Sequence, residues 1–273
     1  MNLTDVSYAS GAPARNHGGA TLFCALAFGA LAVFLAPFAG GVISRDLLAI
    51  AFPVGQWIPA LAVVAVAALT GRVGLLPSRR RPPWRALAAT TGVFAGILAL
   101  HLGLGLAFGL FSLDGSQWHV AWLVLPTAVV LMLATLGEEI GWRGYLLSRW
   151  SHLGPWRSSA AVAIVWAAWH VPLLALYVRE EAMSMATAAA STVNLVCAGA
   201  LLGLLRLRFD SLWPAVFGHA LINSLFVWGY GMMNPAHADL DPTAFWVFNA
   251  LGWLLLLVGA ALVYRHRAAS VAS

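Results

Sequence analysis

Apolar residues run along this chain in long unbroken blocks, rather than in the alternation of half-buried strands or the 3.6-residue stripe of surface helices. The blocks fall at about 20–39, 47–70, 86–111, 119–137, 158–178, 186–205, 212–232 and 243–264. Each is long enough to cross hydrocarbon at roughly 1.5 Å per residue. Polar punctuation divides them: Arg79-Arg80-Arg81-Pro82-Pro83 after the second, Asp114-Gly115-Ser116 after the third and Asn234-Pro235 after the seventh. The pattern predicts an all-α, polytopic membrane helical bundle of about eight transmembrane helices. Residues 1–19 read as an N-terminal tail, 20–265 as a single integral-membrane domain with its functional core at about 119–232, and 266–273 as a C-terminal tail. The first block exceeds the roughly 7–15-residue core of a cleaved signal peptide and reads as the first span.

Composition agrees. Of the 273 residues, 61% are hydrophobic and 9% charged, against about 25% charged in a soluble domain, so a soluble globular reading is excluded. The formal charge of +5 would suggest nucleic acid, but all the basic residues are arginines placed between the blocks, as topology signals are. No nucleic-acid partner is expected; the lipid bilayer is. With eight spans both termini share a side, and thirteen of the 15 basic residues gather there, leaving only Arg45 and Arg179 opposite. That side is the cytoplasm by the positive-inside rule, so the expected location is an integral, multi-pass cell membrane protein with cytoplasmic N and C termini. Cys24 and Cys197 both lie inside apolar blocks and imply no disulfide framework.

Ionisable residues at membrane depth are costly unless paired or wetted, and so mark function. Gly137-Glu138-Glu139-Ile140-Gly141-Trp142-Arg143 closes the fourth block at its cytoplasmic end. There the i, i+4 spacing lets Glu139 pair with Arg143 and leaves Glu138 to face elsewhere. Trp166 and His170 share a helical face in the fifth block, as do His219 and Asn223 in the seventh. Counted from the cytoplasmic helix ends, Glu138 lies about 16 Å from Arg149, His170 about 18 Å from Ser158 and His219 about 12 Å from Ser211. A carboxylate, two imidazoles and an amide at one level predict a polar cavity within the bundle.

Such a cavity supports hydrolysis. Glu138 beside His170 can hold a water and take its proton, while His219 and Asn223 can donate to the oxyanion developing at a scissile carbonyl. The same atoms allow a second scheme, in which Glu138, His170 and His219 bind Zn²⁺ with an open position for water. Because His-Glu-x-x-His, the helix-borne zinc motif, is missing, the scheme without metal or other cofactor is preferred. A proton-coupled transporter would also bury Glu and His, but the internal symmetry expected of such carriers is not seen. A non-catalytic membrane immunity or scaffold protein would have no need of an intact set of site residues.

The ordered motifs Glu138-Glu139-x-x-x-Arg143, Trp166-x-x-x-His170 and His219-x-x-x-Asn223 resemble the CPBP family of intramembrane proteases: the type 2 CAAX prenyl endopeptidases and their bacterial relatives associated with bacteriocin processing or immunity. The resemblance covers roughly residues 119–232. It implies that Glu138 and His170 activate water, that His219 and Asn223 form the oxyanion site, and that Glu139 and Arg143 support them. It also implies a membrane-associated peptide or protein substrate. Trp166 stands where the family usually has Phe.

Other features have structural readings. Trp57, Trp84, Trp118 and Trp213 near block ends suit an aromatic belt. Gly92/Gly96, Gly105/Gly109 and Gly199/Gly203 are small-residue faces suited to close helix contact, and Asn194 is expected to make an interhelical hydrogen bond. Reporter fusions or cysteine labelling should place both termini and the Arg79–Arg85 loop in the cytoplasm, and the loops near Asp114 and Asp239 outside. Termini on opposite sides would rule out eight spans.

Overall fold

The computed structural model of the chain describes residues 17–71 and 84–272. The N-terminal tail up to residue 16, with Arg15, and the Arg72 and Arg79–Arg81 loop lie outside the described residues. The architecture is an all-α polytopic bundle: α1 (His17–Ala39), α2 (Leu48–Gly55), α3 (Ile58–Thr70), α4 (Trp84–Ala107), α5 (Val124–Glu139), α6 (Leu147–Trp150), α7 (Pro155–Arg179), α8 (Met185–Arg208), α9 (Trp213–Leu221), α10 (Val227–Tyr230) and α11 (Pro242–Ala272). Among the described residues seven helical runs are long and apolar enough to cross a membrane, which makes this a multi-pass membrane protein. The remaining apolar block forms α9 and α10, joined by a π-helical turn at Ile222–Phe226. Pro214, His219 and Asn223 make this run less apolar than the others.

Two spans depart from the simple rods expected. The second is broken: α2 ends at Gly55, Gln56 and Trp57 turn, and α3 restarts with Pro59 in its first turn. The fourth does not stop near residue 137. After α5 the chain continues through a π-helical segment, Ile140–Leu146, into α6 and a 3-10 turn at Ser151–Leu153. At the opposite end of the bundle, Ser112–Leu113 pairs antiparallel with Met233–Asn234 and ties the loops after α4 and α10 together. There Asp114 caps the following 3-10 turn; hydrogen bonds from the Ser116 amide and hydroxyl hold its carboxyl below the usual carboxylate range.

Helices in a bilayer gain little from burying apolar surface against one another, so small residues that let backbones approach decide the packing. A Cβ on Gly199 would stand 2.8 Å from Ala163 Cβ and 3.0 Å from the Trp166 ring, and one on Gly203 would stand 2.8 Å from Ser159. These two glycines seat α8 on α7, as the small-residue pattern implied. Gly92 and Gly96 meet nothing within 4 Å, so that pair makes no intrachain contact among the described residues. A fourth small-residue face was not anticipated. Cβ atoms on Gly137 and Gly141 would lie 2.7 Å from the Gln56 carbonyl oxygen and 2.4 Å from Pro59 Cβ, so α5 lies directly on the α2–α3 break.

Trp84 and Trp118 are exposed and Trp213 half-buried, in keeping with an interfacial belt, whereas Trp142, Trp166 and Trp169 are buried. Two arginines counted as topology signals are also interior: Arg143 is 0% exposed and Arg206, beside Asp210, is 1% exposed. The charge bias survives without them. Gly203→Val, which forces a branched side chain against Ser159, should destabilise the bundle by about 1–3 kcal/mol, whereas Gly92→Ala should be close to neutral. Thermal unfolding in detergent checks both, and equal effects would contradict the seating of α8 on α7 through Gly203.

Candidate active site

The candidate site is built around the last two residues of α5. Glu138 and Glu139 are each 0% exposed. They do not sit at a solvated helix end; their hydrogen-bond partners come from within the protein, in keeping with the polar cavity that the sequence predicts. Adjacent residues of a helix point about 100° apart, so the two carboxylates serve different neighbours. Glu139 Oε1 accepts from Arg143 Nη1 at 2.8 Å and from His219 Nδ1 at 3.0 Å. Arg143 reaches on to the Gly199 carbonyl, 3.3 Å from Nη2, and its guanidinium carbon lies 4.4 Å from the Trp166 ring centroid. The Gly199 contact that brings α8 against Trp166 thus also presents a carbonyl to the buried cation.

Glu138 faces the other way. Its Oε2 accepts from Trp166 Nε1 at 2.5 Å, and its Oε1 accepts from Gln56 Nε2 at 2.8 Å. Trp166 is 1% exposed, and its ring stands edge-on to both His170 and His219, with centroids 5.2 Å apart in each case. Both imidazoles lie within electrostatic reach of Glu138. His170 Nδ1 faces the Trp166 carbonyl oxygen at 2.9 Å, which makes Nδ1 the protonated nitrogen and leaves Nε2 with a lone pair when the ring is neutral. Phe52 of α2 packs beside His170, with centroids 6.3 Å apart.

Helices α5, α7 and α9 therefore bring Glu138, Glu139, Arg143, Trp166, His170 and His219 into one buried cluster. Asn223 lies in the π-helical turn one helical turn beyond His219; it is half-buried and hydrogen-bonds none of the described residues. Helix α5, which carries the two carboxylates, and α9, which carries His219, each run into a π-helical segment, Ile140–Leu146 and Ile222–Phe226. Single π turns widen a helix locally and recur at functional sites.

Sequence reasoning missed Gln56. The only signal was an amide in an otherwise apolar block, ten residues beyond Asp46, the nearest ionisable group in the sequence. Trp166, expected to support the site from the face it shares with His170, does so through its indole N–H, which Phe lacks and which binds Glu138. Asn194 is half-buried and forms no hydrogen bond among the described residues, contrary to expectation. His101 was also passed over, although it is buried at 2% exposure. It lies apart from the cluster, between the Phe248 carbonyl at 2.8 Å and the Tyr230 hydroxyl at 3.0 Å, and stacks on Phe248. That is a satisfied histidine linking α4, α10 and α11.

A zinc scheme needs three side chains aimed at one point. Among the described residues no group of three or more His, Cys, Asp or Glu side chains is arranged to hold a metal ion. Glu138 has N–H donors on both oxygens, and His219 Nδ1 is engaged by Glu139. What the arrangement does offer is a carboxylate fixed at both oxygens with lone pairs to spare, since a carboxylate accepts about four hydrogen bonds, beside an imidazole with a free nitrogen.

Residues 117–225 match the family model described as Type II CAAX prenyl endopeptidase Rce1-like, the family that the three motifs resemble. The match spans every residue of the cluster except Gln56. No curated protein matches the chain.

Proposed function

We propose that the protein is an intramembrane endopeptidase that hydrolyses a peptide bond of a membrane-associated peptide or protein, using Glu138 as general base. The family match supports a CAAX-type intramembrane protease in general. The observation that carries the finer reading is the fully buried Glu138 carboxylate, clamped at both oxygens and within electrostatic reach of His170 and His219. A buried acid serving only to neutralise Arg143 would not need it, because Glu139 already does so.

In this reading Glu138, with His170 Nε2, orients a water and removes its proton as the water oxygen attacks the scissile carbonyl carbon. General-base help of this kind contributes about 10²–10⁴-fold. Negative charge then gathers on the carbonyl oxygen. His219 and Asn223 receive it; Asn223 keeps its amide free for this, and His219 presents Nε2 because Nδ1 is held by Glu139. Donation from Nε2 requires both ring nitrogens to carry protons. Collapse of the tetrahedral intermediate breaks the C–N bond, and the proton taken by Glu138 passes to the departing amine. Burial makes each donor worth more than in water, about 10²–10³-fold for one oxyanion donor. His170 and Asn223 are the most accessible members of the cluster and mark the side from which water and substrate enter. The arginine bias supports an orientation with both termini in the cytoplasm.

The test is cleavage of membrane-anchored peptides by the purified chain in phospholipid vesicles. Glu138→Gln should lower turnover at least about 10²-fold while the protein stays folded by thermal unfolding, and wild-type activity should survive exhaustive chelation. Full activity in Glu138→Gln would remove Glu138 as the base. Stoichiometric zinc whose removal stops cleavage and whose return restores it would overturn the metal-free scheme.

A further inference from the structure

We infer that Gln56 is a positioning residue for Glu138, and that the break in the second span serves to place its amide there. The inference rests on the reading of Glu138 as the general base.

The break is a built feature. Pro53 lies inside α2 and Pro59 in the first turn of α3, each without an N–H for the helical ladder, and the helix is interrupted between them at Gln56 and Trp57. The turn between them is held from two sides. A Cβ on Gly55 would stand 3.0 Å from the Phe34 ring of α1, and a Cβ on Gly137 of α5 would stand 2.7 Å from both the Gln56 carbonyl oxygen and Trp57 Cα. Gly137 immediately precedes Glu138. The missing side chain there is what allows the turn to approach closely enough for a 2.8 Å bond from Gln56 Nε2 to Glu138 Oε1. Gln56 is 5% exposed, so its amide is committed to the interior, where an unmade hydrogen bond is costly.

A carboxylate held by one donor can still swing about its terminal torsion, which is broad. With Trp166 on Oε2 and Gln56 on Oε1, the plane of the carboxylate is fixed and its remaining lone pairs point in set directions. Catalysis is sensitive to such placement, a shift of about 1 Å costing on the order of 10²-fold. Gln56 lies well before residues 117–225, the stretch that matches the family model, so this half of the clamp comes from another part of the chain.

The experiment compares wild type, Gln56→Met, Gln56→Asn and Glu138→Gln, each as full chain in vesicles, for kcat, KM and thermal unfolding. Methionine keeps the length and loses the donor; asparagine keeps the amide but withdraws it by one methylene. Both should lower kcat about tenfold or more, with KM within about twofold and an unfolding temperature near that of wild type. If Glu138→Gln is inactive while both Gln56 variants keep full kcat, the inference fails and the base assignment stands. If Glu138→Gln is active, the base assignment itself fails and takes the inference with it. A kcat loss matched by a fall in unfolding temperature in both variants would make Gln56 merely structural, and would likewise overturn the inference.

Discussion

Arg143 carries its charge at a position with no exposure to solvent, and the rest of the site follows from how that charge is compensated. Moving an ion from water into protein costs several kcal/mol even after relaxation, and mutual attraction repays this only when geometry is good and further polar groups share the load. Here Glu139 supplies the countercharge, the Gly199 carbonyl accepts a second guanidinium bond and the Trp166 ring covers one face. Those three groups come from α5, α8 and α7. The cation thus draws three helices to a point, and because Glu139 also engages His219 it adds α9. Glu138, the adjacent residue, hydrogen-bonds instead to Trp166 and Gln56, and in the proposed mechanism it is the base.

The helices can meet in this way only because their backbones are allowed to touch. Gly199 and Gly203 seat α8 on α7, and Gly137 and Gly141 seat α5 on the broken α2–α3 segment. Each pair does more than pack. Gly199 lends its carbonyl to Arg143, and the space left by Gly137 admits the turn that carries Gln56. In a bilayer, where apolar association is weak, the same small residues that permit close contact also present the backbone groups that polar side chains need.

Much of this was legible in the sequence, because membrane depth makes polar residues conspicuous. Eight apolar blocks gave the span pattern, and Glu138, Glu139, Arg143, His170 and His219 stood out as residues that hydrocarbon does not tolerate alone. The i, i+4 pairing of Glu139 with Arg143 followed from helix geometry and is present. What was not legible depends on tertiary partners. Glu-Glu-x-x-x-Arg reads as a helix end as long as its partners are unknown, and only Gly199, Trp166 and His219 reveal that α5 can run on through it. Gln56 is one amide in an apolar block, ordinary until Gly137 is known to lie against it. The π-helical turns beside the Glu138–Glu139 and His219–Asn223 motifs leave no mark in a hydropathy pattern.

The functional reading depends on one structural claim: that side chains from separate helices form a single buried unit. A double-mutant cycle across the Glu139–His219 contact tests this most directly. Glu139→Gln, His219→Gln and the double variant are compared with wild type by denaturant unfolding in a lipid-mimetic bicelle. Side chains in direct contact show coupling of about 0.5–3 kcal/mol, and a favourable coupling in that range is the expected result. Additivity within about 0.3–0.5 kcal/mol, as for independent sites, would contradict the claim that α5 and α9 meet at this carboxylate.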